Sequence, residues 1–261
     1  MIGKYFIDEW WDDTVSRRIL IAAVICTVVF SAVWAAAQQP VLRFESALRY
    51  LQYYTAGMDR FIPGLKPLHQ ATNALLESIE REESVEESLL LLSLIYQEQG
   101  NFAAAKEALY EYLQQNPDYG WIYVLVGDID YLLGDPDLAL KSYVKALMVG
   151  EYARAYYGIG LINSHMGITA DVIGAFAKAV ELSPNFVEAR IALAKAHLAM
   201  NQYEEALTEL ETAYLYAPRS AEIHYYLWQI YKQQEDMSKA KHHRELAVQY
   251  DPSYAALIGG N

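Results

Sequence analysis

The sequence predicts an all-α chain: a solenoid of stacked helix pairs preceded by one membrane-spanning helix. Three observations carry this prediction. An uncharged apolar run stands near the N-terminus, apolar residues recur at helical spacing through most of the remainder, and residue types repeat with a period of about thirty-four from Glu86 onward. Of 261 residues 54% are hydrophobic, above the roughly 45–50% of soluble domains, so one compact core does not account for them. The 33 acidic residues outnumber the 20 basic ones, giving a net charge of −13. That is the wrong sign for neutralising a phosphate backbone, so nucleic acid is not an expected partner. A single cysteine, Cys26, excludes an internal disulfide and any multi-cysteine metal site or iron–sulfur cluster held by this chain alone.

Residues 1–18 form an N-terminal flank and 19–37 the span. Between Arg18 and Arg43 no charged residue occurs, and from Ile19 to Ala37 only Thr27 and Ser31 are polar. At a rise of ~1.5 Å per residue, this run as a helix spans just under the ~30 Å hydrocarbon core of a bilayer. Trp10, Trp11 and Trp34 flank it where an aromatic belt belongs. The competing reading is a cleaved export signal, with Ala35-Ala36-Ala37 as a small-residue cleavage pattern and Ser16-Arg17-Arg18 as a faint twin-arginine motif. The flank weighs against it: Asp8, Glu9, Asp12 and Asp13 outnumber Lys4, Arg17 and Arg18, whereas a signal begins with net positive charge. A retained anchor is therefore expected, membrane-bound through Ile19–Ala37. Three basic residues precede the span and only Arg43 and Arg49 follow closely. The positive-inside rule then keeps the N-terminus inside and places the rest outside, which in a bacterium means a single-pass inner-membrane protein with a periplasmic repeat domain.

Residues 38–85 are expected to be linker helices or an N-terminal cap. Phe44, Ala47, Leu51, Tyr54 and Met58 share one face of a helix from Val41 to Met58, which Pro63 and Pro67 bring to an end. Leu68, Ala71, Leu75 and Ile79 share one face of a second helix, from Leu68 to Glu82. The pair reads as a packed cap over the open end of the solenoid, as a degenerate repeat, or as helices lying along the membrane; the cap is preferred because solenoid ends need covering. Ser84 and Glu87 form a capping-box pattern at the first clear repeat.

Residues 86–254 divide into five blocks, 86–119, 120–152, 153–186, 187–220 and 221–254, followed by a tail at 255–261. A small residue recurs eight places in (Ser93, Gly127, Gly160, Ala194), with Trp228 the exception in the last block. A turn residue recurs fifteen in (Gly100, Gly134, Gly167, Asn201), with Glu235 the exception. Ala105, Ala139, Val172, Ala206 and Ala240 follow twenty in, and Leu109, Tyr143, Phe176 and Leu210 four later, where Arg244 breaks the series. Proline closes every block but the second (Pro117, Pro184, Pro218, Pro252). Small residues let paired helices approach, glycine or asparagine reverses the chain in a left-handed conformation, and proline ends the second helix. Asn101 and Asp135 are expected N-caps, with Pro136 at a first helical position. The departures in the last block point to a polar capping repeat.

This register resembles the tetratricopeptide repeat family over about two-thirds of the chain. The resemblance implies a right-handed α-solenoid of tetratricopeptide helix pairs, with a concave groove lined by the first helices that holds a peptide or a partner helix. Places two, five, nine, twelve and thirteen of each unit line that groove in family members. Here they supply Trp121, Val124, Asp128, Tyr131, Arg154, Tyr157, Leu161 and Lys195 as the expected partner-binding residues, beside Leu132, Ile191 and Leu198. Where family members that grip chaperone C-termini carry Lys and Asn, this chain has Leu90 and Leu94, then Val124 and Asp128, so that partner class is not expected.

No catalytic pattern competes with binding. His242 and His243 are neighbours on a helix, pointing about 100° apart, and read as a surface pair, not as metal ligands. Gly158-Ile159-Gly160 lacks the third glycine of a phosphate loop and lies inside a first helix, so Gly160 reads as the small residue of its repeat. Asp128 and Asp130 read as a solvated acidic helix rather than paired catalytic carboxylates. The expected function is a membrane-anchored scaffold or adaptor that binds protein partners, subunits of a larger membrane or envelope complex among them, and assists its assembly or stability. It is not expected to be an enzyme or to use a cofactor or metal. The alternatives are a permanent accessory subunit of a membrane complex and, from another class, an enzyme with an unrecognised site in the groove.

Overall fold

The computed structural model describes residues 67–259. Among them it places twelve helices and no strand: α1 (Pro67–Glu80), α2 (Val85–Glu98), α3 (Phe102–Gln115), α4 (Gly120–Leu132), α5 (Pro136–Val149), α6 (Ala153–Ser164), α7 (Ala170–Leu182), α8 (Val187–Ala199), α9 (Tyr203–Tyr216), α10 (Ala221–Gln233), α11 (Met237–Tyr250) and α12 (Tyr254–Gly259). Among the described residues no helix is long and apolar enough to cross a membrane. The span expected from Ile19 to Ala37 and the helix expected from Val41 to Met58 lie outside the described residues. The described residues divide into two compact units, 67–134 and 135–259.

In the first unit α1 packs on α2, α2 on α3 and α3 on α4. Each helix sends small and branched side chains into one cluster: Ala71 and Leu75 from α1, Leu89, Leu92 and Ile95 from α2, Ala105 and Leu109 from α3, Ile122, Val126 and Ile129 from α4. The apolar face read at Ala71 and Leu75 is therefore turned onto the next helix pair. Ser84 precedes α2 at its N-cap position, but with φ 48° and ψ 47° it makes no side-chain cap hydrogen bond. A capping side chain reaches the N2 and N3 amides from β-region backbone, and left-handed backbone aims it elsewhere. The expected capping box is thus absent. Asn101 does cap α3, accepting from the Ala104 amide at 3.3 Å. Asp135 stands at the N-cap of α5 with Pro136 at its start but makes no side-chain cap bond.

In the second unit α5 packs on α6, α6 on α7, α7 on α8, α8 on α9, α9 on α10, and α10 on α11. The close approaches rest on missing side chains. A Cβ on Gly158 would stand 2.4 Å from the Tyr143 ring, and one on Gly160 would stand 2.5 Å from Phe176 Cε1. Gly160 is the small residue of its repeat, as its register position predicts, and the two glycines belong to packing rather than to a phosphate loop.

The residues at the five registered turn places all have positive φ: Gly100 (φ 72°), Gly134 (φ 82°), Gly167 (φ 124°), Asn201 (φ 59°) and Glu235 (φ 60°). The expected exception at Glu235 is an exception of residue type only; the backbone keeps the geometry of the series. The last block is also less polar than expected. Trp228 fills the small residue's place while 7% exposed, and the tail supplies α12, whose Ile258 joins the same cluster. The most polar helix of the block is α11, of which only Ala240 and Ala247 are buried.

Candidate partner-binding faces

On α4, Trp121, Val124, Asp128 and Tyr131 recur at helical spacing and share one face. Their environments differ. Val124 is 6% exposed and Asp128 8% exposed, so neither presents a side chain to a partner. Asp130 is 1% exposed and pairs with Lys106 of α3. The expectation of a solvated acidic helix fails here: α4 is packed round most of its girth, and Asp130 is neutralised by a lysine from the preceding helix. Trp121 and Tyr131 are half-buried. Trp121 leans on Tyr112 with ring centroids 6.4 Å apart, and Tyr119 meets the same tyrosine edge-on at 5.8 Å. Burial, with Glu86 adding to it, pushes the Tyr112 phenol up to about 12. It therefore stays a neutral donor.

On α6, Arg154, Tyr157 and Leu161 share one face and are each half-buried. The Arg154 guanidinium lies 5.8 Å from the Tyr157 ring centroid. Tyr157 rests on Phe186 (4.9 Å) and Phe176 (6.0 Å), so its ring belongs partly to the core. Lys195 of α8 is exposed. Its ammonium stands 3.5 Å from Glu222 of α10 and 5.6 Å from the Tyr226 ring centroid. Burial raises the Tyr226 phenol against the pull of Lys195. Tyr225 meets Tyr226, Trp228 and Tyr254 at 5.2, 5.6 and 5.2 Å, and the Lys232 ammonium lies 5.3 Å from the Trp228 ring centroid.

The structure thus joins Arg154 with Tyr157, and Lys195 with residues of α10 that were not among those expected. Glu222, Tyr225 and Lys232 occupy places two, five and twelve of the fifth block. The same register rule, carried one block further, finds them. Together these faces carry cations over aromatic rings beside half-buried aliphatics, the composition of protein-binding hot spots.

A second cluster went unread in the sequence. His243 is half-buried, and its partner is not its neighbour His242 but His224 of α10, 1% exposed and nineteen positions away. The surface-pair reading fails for His243 because α11 turns it onto α10; His242 remains exposed. Among the described residues, no three or more His, Cys, Asp or Glu side chains stand together as metal ligands.

Comparison with known proteins agrees with the helical register. Family models described as tetratricopeptide repeat match residues 87–119 and 167–227. The anaphase-promoting complex subunit 3 of Schizosaccharomyces pombe is 23% identical over 217 residues, which cover 70% of this chain and 33% of that protein. The chain thus spans about a third of that relative's length. Pseudomonas aeruginosa pilF superposes with a TM-score of 0.67 at 17% identity, covering 84% of this chain and 99% of that one. YrrB, a tetratricopeptide-repeat protein with a peptide-binding site, superposes with a TM-score of 0.55 at 19% identity, covering 72% and 97%. The described residues form an all-helical fold of the tetratricopeptide-repeat kind, and the stretches at 87–119 and 167–227 are tetratricopeptide repeats.

Proposed function

We propose that this protein is a scaffold that binds protein partners on the first helices of its repeats and is held at a membrane by residues 19–37. The observation that carries the binding reading is the second unit's half-buried face. Arg154 lies over Tyr157 and Lys195 over Tyr226, both rings half-buried, so charge and apolar area occur together at the surface. Support comes from the similarity to a peptide-binding repeat protein and to a subunit of a large assembly. Support for the anchor is the uncharged run flanked by tryptophans. The same reading makes the partner a subunit of a membrane or envelope complex, with the repeats on the outer side.

Crosslinking of the full chain in membranes, followed by mass spectrometry of its neighbours, tests both parts. Arg154→Glu with Lys195→Glu reverses two cations without removing core area, and loses the crosslinked neighbours while the helical signal is unchanged. An unchanged set of neighbours refutes the face. Release of the chain from membranes by alkaline carbonate refutes the span.

A further inference from the structure

His224 and His243 tie α10 to α11 through their side chains. His224 Nδ1 lies 2.9 Å from His243 Nδ1, and His224 Nε2 lies 3.1 Å from the carbonyl oxygen of Pro218. Hydrogen-bond accounting settles the protons. A carbonyl only accepts, so Nε2 of His224 carries the hydrogen; neutral His224 then offers a lone pair at Nδ1, and His243 Nδ1–H donates to it. Two protonated imidazoles would bring two N–H groups together at 2.9 Å, with no acceptor between them.

The surroundings favour the neutral pair. Tyr214 of α9 stands edge-on to His224 at 5.6 Å, and Tyr250 of α11 stacks on it at 5.5 Å. Tyr231 of α10 stacks on His243 at 5.5 Å. Glu211 of α9 accepts a hydrogen bond from the Tyr231 hydroxyl at 3.3 Å. The charges that act on His243 are those of His224, His242 and Lys239, all of one sign, and with burial ahead of them they hold its imidazole down to about 4. Burial likewise lowers His224, against the Pro218 carbonyl.

We propose that the His224–His243 pair is a proton-sensitive latch that holds the last helix pair closed at neutral pH and loosens it on acidification. The unfolded segment takes up protons near pH 6.5, whereas the closed pair does not until far lower. Stability from the latch is therefore present above pH 6.5 and is lost as pH falls toward 4. From the His243 value alone, the opening equilibrium of α10–α11 rises up to about twentyfold between pH 7 and pH 5.

Hydrogen exchange of the full chain, read on α10–α11 peptides relative to α2–α3 peptides at the two pH values, measures this directly. The wild-type chain loses about tenfold to twentyfold of its relative protection at pH 5. His243→Asn keeps a donor for His224 Nδ1 and removes the His243 titration, so its relative protection falls by much less than the wild type's, leaving only the His224 share, whereas His242→Asn keeps most of the wild-type response. An equal pH response in wild type and His243→Asn, or a loss shared by α2–α3, overturns the latch. Should His243→Asn not fold, imidazole proton resonances of the wild type decide instead: titration of both histidines near pH 6.5 with α10–α11 still protected overturns it too.

Discussion

Gly160→Ala puts the helix-pair contact to a direct test. Alanine is the better helix former, and in an unconstrained helix interior this exchange adds about 0.5–1 kcal/mol of stability. Here the new methyl would stand 2.5 Å from Phe176 Cε1 and 2.7 Å from Cδ1. The ring has nowhere to go: Phe176 is 2% exposed and lies against Tyr157 at 6.0 Å. Overpacking of this kind costs about 1–3 kcal/mol. Set against the propensity gain, the net effect is a loss of about 1–2 kcal/mol. Equilibrium urea unfolding followed by far-ultraviolet circular dichroism measures it. Phe176→Leu vacates the clashing edge, so the double variant Gly160→Ala/Phe176→Leu should be less destabilised than the sum of the two singles by about 1 kcal/mol. A stabilised Gly160→Ala, or additivity in the cycle, refutes the steric account of this repeat.

Other perturbations follow from single contacts. Arg190, 9% exposed, donates from Nε to the Pro184 carbonyl at 2.7 Å and pairs with Glu209 through its other arm. Arg190→Met should cost about 2–3 kcal/mol in urea unfolding, below the usual figure for a broken buried pair because Glu209 is 20% exposed. Arg190→Lys should recover only part of the loss, since one ammonium cannot replace the fork. Glu235 holds φ at 60° in an exposed turn, so Glu235→Gly should raise the unfolding midpoint, by about 0.5–1 kcal/mol after glycine's own entropy is subtracted. An unchanged or lower midpoint would refute the strain assigned to that turn.

The register of this chain was legible in its residues because each registered position answers a local demand. Ala105, Ala139, Val172, Ala206 and Ala240 all lie at no more than 4% exposure, since a helix-pair seam admits only small or branched side chains at that place. Gly100, Gly134, Gly167 and Asn201 mark left-handed turns by the residue types that tolerate them. Glu235 shows where this inference ends: the Asp236 amide donates to the Tyr231 carbonyl at 3.0 Å, as the Gln202 amide does to that of His197 at 2.9 Å, so the turn keeps its backbone on a residue whose own preference opposes it. The candidate site was legible more coarsely. Place numbers within a block identify a face, and Arg154, Tyr157 and Lys195 stand on it with part of their surface open. They do not show how far neighbouring helices cover that face, which is why Val124 and Asp128 are buried.

Pairings across helices are what only the tertiary structure decided. Lys106 meets Asp130, Lys195 meets Glu222, and His224 meets His243 over separations of 24, 27 and 19 residues. Nothing in their spacing announces this, because a partner one helix away is selected by packing distance and rotation rather than by period. The sequence by itself determined that the chain is helical, where it turns and which seams are close, since those depend on local backbone chemistry. Which polar groups are neutralised, and which histidine shares its proton with which, is decided when the helix faces come together and exclude water.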